Sequence, residues 1–220
     1  MSLPSLKLYH KEPYPAISPT LPQLSQLGKT VIVSGGSSGI GFAIARSFVT
    51  AGAARVIILG RRRKYVESAA KTLNHEAGCD VAEGRAVDAY SLPAIEELWS
   101  TLHAQGIYVH VLVLSASAYG IKSHILETTL EKTWGDFEAN FLVNVSTIAA
   151  YMWTTMAPDR PTYGLTKNAA LALVQQIAKN SNPKELQIVR FHPGGILTES
   201  ARKEGYADGG FNFDDVKLAP

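Results

Sequence analysis

Six short apolar or β-branched runs punctuate the chain, at Lys29–Val33, Arg55–Leu59, Gly84–Asp88, Val109–Ser115, Leu142–Thr147 and Gln187–Phe191, and each has the length of a strand. The first is apolar at successive positions, which predicts a strand buried on both faces. Between them lie longer stretches of helical character. Phe42–Thr50 stops at Ala51-Gly52, and Lys64–Glu76 has alanines at its centre. A third helix begins at Ser91, with a serine cap and Pro93 in its first turn, and ends near Gln105-Gly106. Thr128–Asn140 carries Trp134 and Phe137 as packing residues, and Arg160–Lys179 has an Ala/Leu/Val-rich face suited to a core or a dimer surface. Strands alternating with helices predict one α/β domain built on a doubly wound parallel sheet. Pro4, Pro13, Pro15, Pro19 and Pro22 exclude regular helix or sheet from residues 1–27. That segment is expected to be an extended arm and a candidate oligomer contact, with the domain proper at 28–220.

Composition narrows the function. A chain of 220 residues that is 46% hydrophobic can bury a sizeable core as one domain. Twenty-one basic residues against 19 acidic leave a net charge of only +2, which argues against a nucleic-acid partner bound through phosphates. The single cysteine, Cys79, excludes an internal disulfide and fits a reducing compartment; it is expected to be a packing filler. No apolar run has the length of a membrane span, and the N-terminus lacks a secretory pattern, so the expectation is a cytoplasmic protein without a membrane partner. Two motifs mislead. Asn144-Val-Ser146 is a sequon in an expected core strand, and Leu27-Gly-Lys-Thr30 has Gln23 where a P-loop needs its first glycine.

The chemistry concentrates in two places. Val31-Ile-Val-Ser-Gly-Gly-Ser-Ser-Gly-Ile-Gly41 leads from a strand through a glycine-rich turn into a helix. Gly35 suits the tight turn, Gly39 close approach of a pyrophosphate, and Gly41 close packing of helix on strand, while the helix N-terminus offers N–H groups and partial positive charge to a phosphate. Ser37, Ser38 and Ile40 complete the turn. Far downstream, Tyr163-Gly-Leu-Thr-Lys167 sets a phenol and an ammonium four residues apart on one helix face. A nearby cation favours phenolate, and a donor tuned toward neutral pH serves as a general acid–base. Alone, such a pair is also what two surface side chains make by chance.

Together, the Gly-x3-Gly-x-Gly turn and the Tyr-x3-Lys pair, in this order, resemble the short-chain dehydrogenase/reductase family over about residues 28–205. The Pro-rich lead, Ser34-Gly-Gly and His192-Pro-Gly look most like its fungal members. The resemblance implies a Rossmann fold and an oxidoreductase that moves hydride between a nicotinamide dinucleotide and a carbonyl or alcohol substrate. It implies Tyr163 as the acid–base and Lys167 as its partner, holding the nicotinamide ribose. Ser146-Thr147 stands where the family has two serines, so Thr147 becomes the substrate-binding hydroxyl, with Ser146 as alternative. Asn140 matches the asparagine that holds a water beside the lysine. Asp88 falls at the adenine contact. Ser115-Ala116-Ser117-Ala118 replaces the family's Asn-Ala-Gly beside the cofactor, and Pro193-Gly194, Ile196 and Thr198 match the segment that closes on the nicotinamide.

Cofactor choice follows from the end of the second strand, Leu59-Gly-Arg-Arg-Arg63, which has no acid to bond a ribose 2′-hydroxyl. Guanidinium suits a 2′-phosphate, so NADP(H) is favoured over NAD(H), with Arg61 and Arg62 as candidates against a plain basic helix start.

Two features sit awkwardly with that family. Thr147 follows Asn140 by only seven positions, where the rest of a helix, a loop and a strand ordinarily take roughly 20–25. The crossover is therefore expected to be shortened, which would displace Asn140 and put a homo-oligomer in doubt. The sheet is expected to be truncated at its C-terminal edge. Three readings stay open: an NADP(H)-dependent oxidoreductase on a small carbonyl or secondary alcohol, a catalytically impaired descendant that binds dinucleotide or a partner, and a defective splice product.

Overall fold

The computed structural model describes residues 13–117, 127–134, 160–193 and 195–206. Four parallel strands, β1 (Thr30–Ser34), β2 (Arg55–Gly60), β3 (Ala82–Ala86) and β4 (Val111–Leu114), lie in the order β3-β2-β1-β4. The chain moves outward from β1 through β2 to β3, then returns to place β4 on the other side of β1. That reversal makes the sheet doubly wound, and Ile32 sits beside Ile57 on one flank and Leu112 on the other. The expected fold class, an α/β doubly wound parallel sheet in a single domain, is what the chain adopts.

The apolar runs explain the layering. Successive side chains of a strand point to opposite faces. Val31, Val33, Val56 and Ile58 enter one core with Ala45 of α1 (Gly39–Thr50) and Val66, Ala69, Ala70 and Leu73 of α2 (Arg63–Ala77). Ile32, Ile57 and Leu59 enter a second core, against Leu98 and Leu102 of α3 (Leu92–Ala104). A strand with helices on both faces has to be apolar at every position, and β1 is buried at four of its five.

Helix ends follow local chemistry. The Ser91 hydroxyl accepts from the Ala94 N–H at 3.4 Å, with Pro93 in the first turn of α3 as the sequence predicts. Gly78 closes α2 in the left-handed conformation, φ +71°. Helix α4 (Pro161–Asn180) opens on a proline, and α5 (Glu199–Lys203) is capped by Thr198.

Several expectations need correction. Gln187–Phe191 forms no ladder among the described residues, and Val189 is exposed. The expected fifth strand, Leu142–Thr147, lies outside the described residues. Phe191 packs instead on Ala43 and Ile44 of α1. Strand β3 begins two residues earlier than expected, which leaves Asp88 in the turn that follows it. Cys79 is exposed, not a filler, and Trp134 is exposed as well, within the helical residues 130–134. The described part of the leading segment is not simply extended: its prolines start two 3-10 turns, Pro15–Ile17 and Pro22–Leu24. Among the described residues no helix is long and apolar enough to cross a membrane.

Candidate active site

A cleft of about 420 Å³ opens at the carboxyl ends of the four strands, at the point where the strand order reverses. One wall is the glycine-rich turn. Gly35 has φ +67° and lies against the chain just past β4 so closely that a Cβ would stand 2.6 Å from Ala116 Cα. A Cβ on Gly41 would strike the Gly35 carbonyl, so the turn and the first turn of α1 fit only without side chains there. Gly39, at φ +57°, faces the Thr198 methyl, with 3.3 Å from its Cβ position to Thr198 Cγ2. Ser38 occupies the N-cap of α1, and its hydroxyl makes no capping bond. The first-turn N–H groups are thereby left to whatever occupies the cleft. Ser37, Ser38, Gly39, Ile40 and Gly41 all line it.

Ser34 holds this turn to its neighbour. Its hydroxyl is buried at the end of β1 and accepts from the N–H groups of Ser115 (3.1 Å) and Ala116 (3.2 Å). One side chain thus ties β1 to β4 just where Ser115, Ala116 and Ser117 enter the cleft. Ser34→Ala is expected to leave two partly buried N–H groups without this acceptor and to cost about 1–2 kcal/mol of stability, whereas Ser34→Thr should keep most of it. Urea titration of both variants checks this; equal losses would mean the hydroxyl is not the tie.

The arginines separate at the far end. Arg62 lays its guanidinium over the Tyr65 ring at 3.9 Å, and Arg63 pairs with Glu67 at 3.7 Å on the open surface. Arg61 lies in the electrostatic field of Tyr90, another lining residue. Burial raises the Tyr90 phenol above its ordinary pKa, Arg61 pulls it back, and Asp88 pushes it up again. The Asp88 carboxylate also accepts from the Tyr90 N–H at 3.1 Å, which fixes the turn carrying both residues into the cleft. Arg61 and Arg62 both reach the lining, while Arg63 does not.

On the opposite wall α4 brings Tyr163 and Lys167 into the same cleft, with Lys167 Nζ 5.9 Å from the Tyr163 ring centroid. Lys167 is only 1% exposed. Burial first, and the Arg190 charge second, lower its ammonium from 10.5 to about 8. The segment after α4 closes the site, with His192, Pro193, Ile196, Thr198, Glu199 and Ser200 all facing in. Thr198 caps α5 by accepting from the Ala201 N–H at 3.1 Å.

The fold therefore gathers Gly35, Ser37, Ser38, Gly39, Ile40, Gly41, Arg61, Arg62, Asp88, Ser115, Ala116, Tyr163, Lys167, Pro193, Ile196 and Thr198 around one cleft. Asn140, Ser146, Thr147 and Gly194 lie outside the described residues. Sequence reasoning passed over Tyr90, Arg190 and the bonding role of Ser34. Of these only Ser34, at the mouth of the glycine turn, carried a local signal.

The short chain dehydrogenase family profile matches residues 29–158 of this chain. A short chain dehydrogenase/reductase of Claviceps purpurea is 30% identical across 96% of this chain and 77% of its own length. One from Aspergillus aculeatus is 28% identical across 96% and 78%. Among solved structures, L-sorbose reductase of Gluconobacter frateurii, with NADPH and L-sorbose, superposes with a TM-score of 0.75 at 22% identity, covering 89% of this chain and 88% of that one.

Proposed function

Because the chain belongs to the short-chain dehydrogenase/reductase family of oxidoreductases, and most resembles its fungal members, we propose that it interconverts a small carbonyl compound and the corresponding secondary alcohol with NADP(H). One observation carries the reading. A phenol and a buried ammonium on α4 line the same cleft as a glycine turn that backbone packing forbids from carrying side chains.

The donor set fits a dinucleotide. Gly35, Gly39 and Gly41 leave a side-chain-free cradle above the N-terminus of α1, suited to a pyrophosphate. Asp88 and Tyr90 would flank the adenosine, and the backbone at Ser115 and Ala116 would lie along the cofactor. Pro193, Gly194, Ile196 and Thr198 would meet the carboxamide end. When bound, the nicotinamide supplies or accepts the hydride. Tyr163 donates a proton to the carbonyl oxygen in reduction and takes it back in oxidation. Lys167 orients the ribose and biases the phenol toward its ionised form. Thr147, or Ser146, would hold the substrate oxygen, and Asn140 a water beside the lysine. A reducing, cytoplasmic setting agrees with the cysteine usage.

For NADP(H) over NAD(H) the support is the run of arginines after β2 and the lack of an acid there. Arg62 is engaged with Tyr65, so Arg61 is the main 2′-phosphate ligand in this reading. Arg61→Asp is expected to weaken NADPH at least tenfold and leave NADH near its starting affinity, while Arg62→Asp does less. The overall test is thermal shift with NADPH and NADH, then turnover over a panel of carbonyl compounds. No shift with either nucleotide would sink the proposal, and binding without turnover would leave a dinucleotide-binding protein.

A further inference from the structure

One side of the cleft is lined by the start of a strap, residues 196–206: Ile196, Thr198, Glu199 and Ser200 face in, and its helix α5 has only five residues. One helical turn does not stand alone in water, so its position depends on its anchors. At its start the Thr198 methyl meets the Gly39 turn, and Ile196 and Ala201 are buried. At its far end Glu204 Oε2 accepts from Arg160 Nη2 at 2.7 Å. That arginine is the N-cap of α4, its side chain is 6% exposed, and its carbonyl accepts from the Tyr163 N–H at 3.2 Å. One half of the ion pair therefore belongs to the helix that carries Tyr163. The other half belongs to the strap that brings Glu199 and Ser200 into the cleft.

We propose that Arg160 and Glu204 are a positioning pair, a latch that ties the strap to the helix carrying Tyr163 and so governs retention of substrate and cofactor. The asymmetry of burial gives the latch its direction. Glu204, 36% exposed along its side chain, can swing to water at small cost, whereas Arg160 stays where it is. Opening withdraws a charge-assisted bond from a buried guanidinium, an unfavourable change that returns the strap to its closed place. The pair touches neither substrate nor reacting atoms; it acts through where it sets Glu199, Ser200 and Thr198. Only its kinetic consequence rests on the oxidoreductase reading.

Amide hydrogen exchange across residues 198–206, in the full chain with and without NADPH, tests the latch in Glu204→Gln, Arg160→Gln and the exchanged pair Arg160→Glu with Glu204→Arg. Each single variant is expected to speed exchange in that segment about tenfold, with exchange in β1 unchanged. KM should rise about tenfold while kcat stays within twofold. The exchanged pair should recover slow exchange; if it does not fold, Glu204→Gln decides alone. Unchanged strap exchange would overturn the latch, and so would acceleration of β1 in step, which marks general destabilisation. A chain that binds no nucleotide still answers through exchange of the free protein, so failure of the latch and failure of the oxidoreductase reading are told apart.

Discussion

Tyr163→Phe is expected to lower turnover by about 10²–10⁴-fold, the range spanned by a positioned acid–base group, while NADPH affinity stays within about twofold. The substitution removes one oxygen and leaves the ring that faces Lys167 Nζ at 5.9 Å. The backbone there is held by other bonds: the Tyr163 N–H donates to the Arg160 carbonyl, and the Tyr163 carbonyl accepts from Thr166 Oγ1 at 2.9 Å. Neither involves the phenol, so fold and helix should persist. The glycine cradle and Arg61 belong to other elements, the turn after β1 and the end of β2, and owe nothing to the phenol, so dinucleotide binding should persist too. Steady-state kinetics beside a binding titration separates the two effects. Retention of more than a tenth of the turnover would remove Tyr163 from its assigned role, and parallel loss of binding would show it to be structural.

The glycine turn and the Tyr/Lys pair were legible in the chain because local geometry sets both. A turn that must carry φ +67° at Gly35 and admit no Cβ at Gly41 writes itself into the sequence as glycine. An i, i+4 pair shares a face wherever the helix forms. The parallel, doubly wound class of the sheet was equally legible, since apolar runs alternating with helices leave few ways to wind. What could not be read depends on distance in the chain or on neighbours in space. Arg61 and Arg62 look alike in sequence and are told apart by the ring of Tyr65 and the field of Tyr90. Arg160 and Glu204 stand 44 residues apart and meet only because the C-terminal end of α5 comes back to the N-terminal end of α4. Gln187–Phe191 has strand composition but forms no ladder among the described residues.

Lys167→Met is expected to stabilise the protein at pH 7 while turnover is lost, so that, on the proposed reading, the group the reaction needs is one the fold would be firmer without. Lys167 is 1% exposed, and its ammonium is lowered from 10.5 to about 8 by burial and then by Arg190. The sign follows from proton counts. Between about pH 8 and 10.5 the unfolded chain holds a proton on this lysine that the folded chain has released, so stability rises with pH across that window. Below about pH 8 both states are protonated and the cost of a buried cation is present in full. A shift of this size corresponds to about 3 kcal/mol, reduced in the variant by whatever bonds the ammonium made. Methionine fills similar space with no charge, so melting should rise by roughly 5 °C at pH 7, at about 2–4 °C per kcal/mol for a domain of this size. The gap should then close as pH climbs from 8 toward 10.5, where the lysine has shed its proton. A variant less stable than the parent at pH 7, or a gap constant through pH 10.5, would mean that the buried ammonium is held by its neighbours and not strained by them.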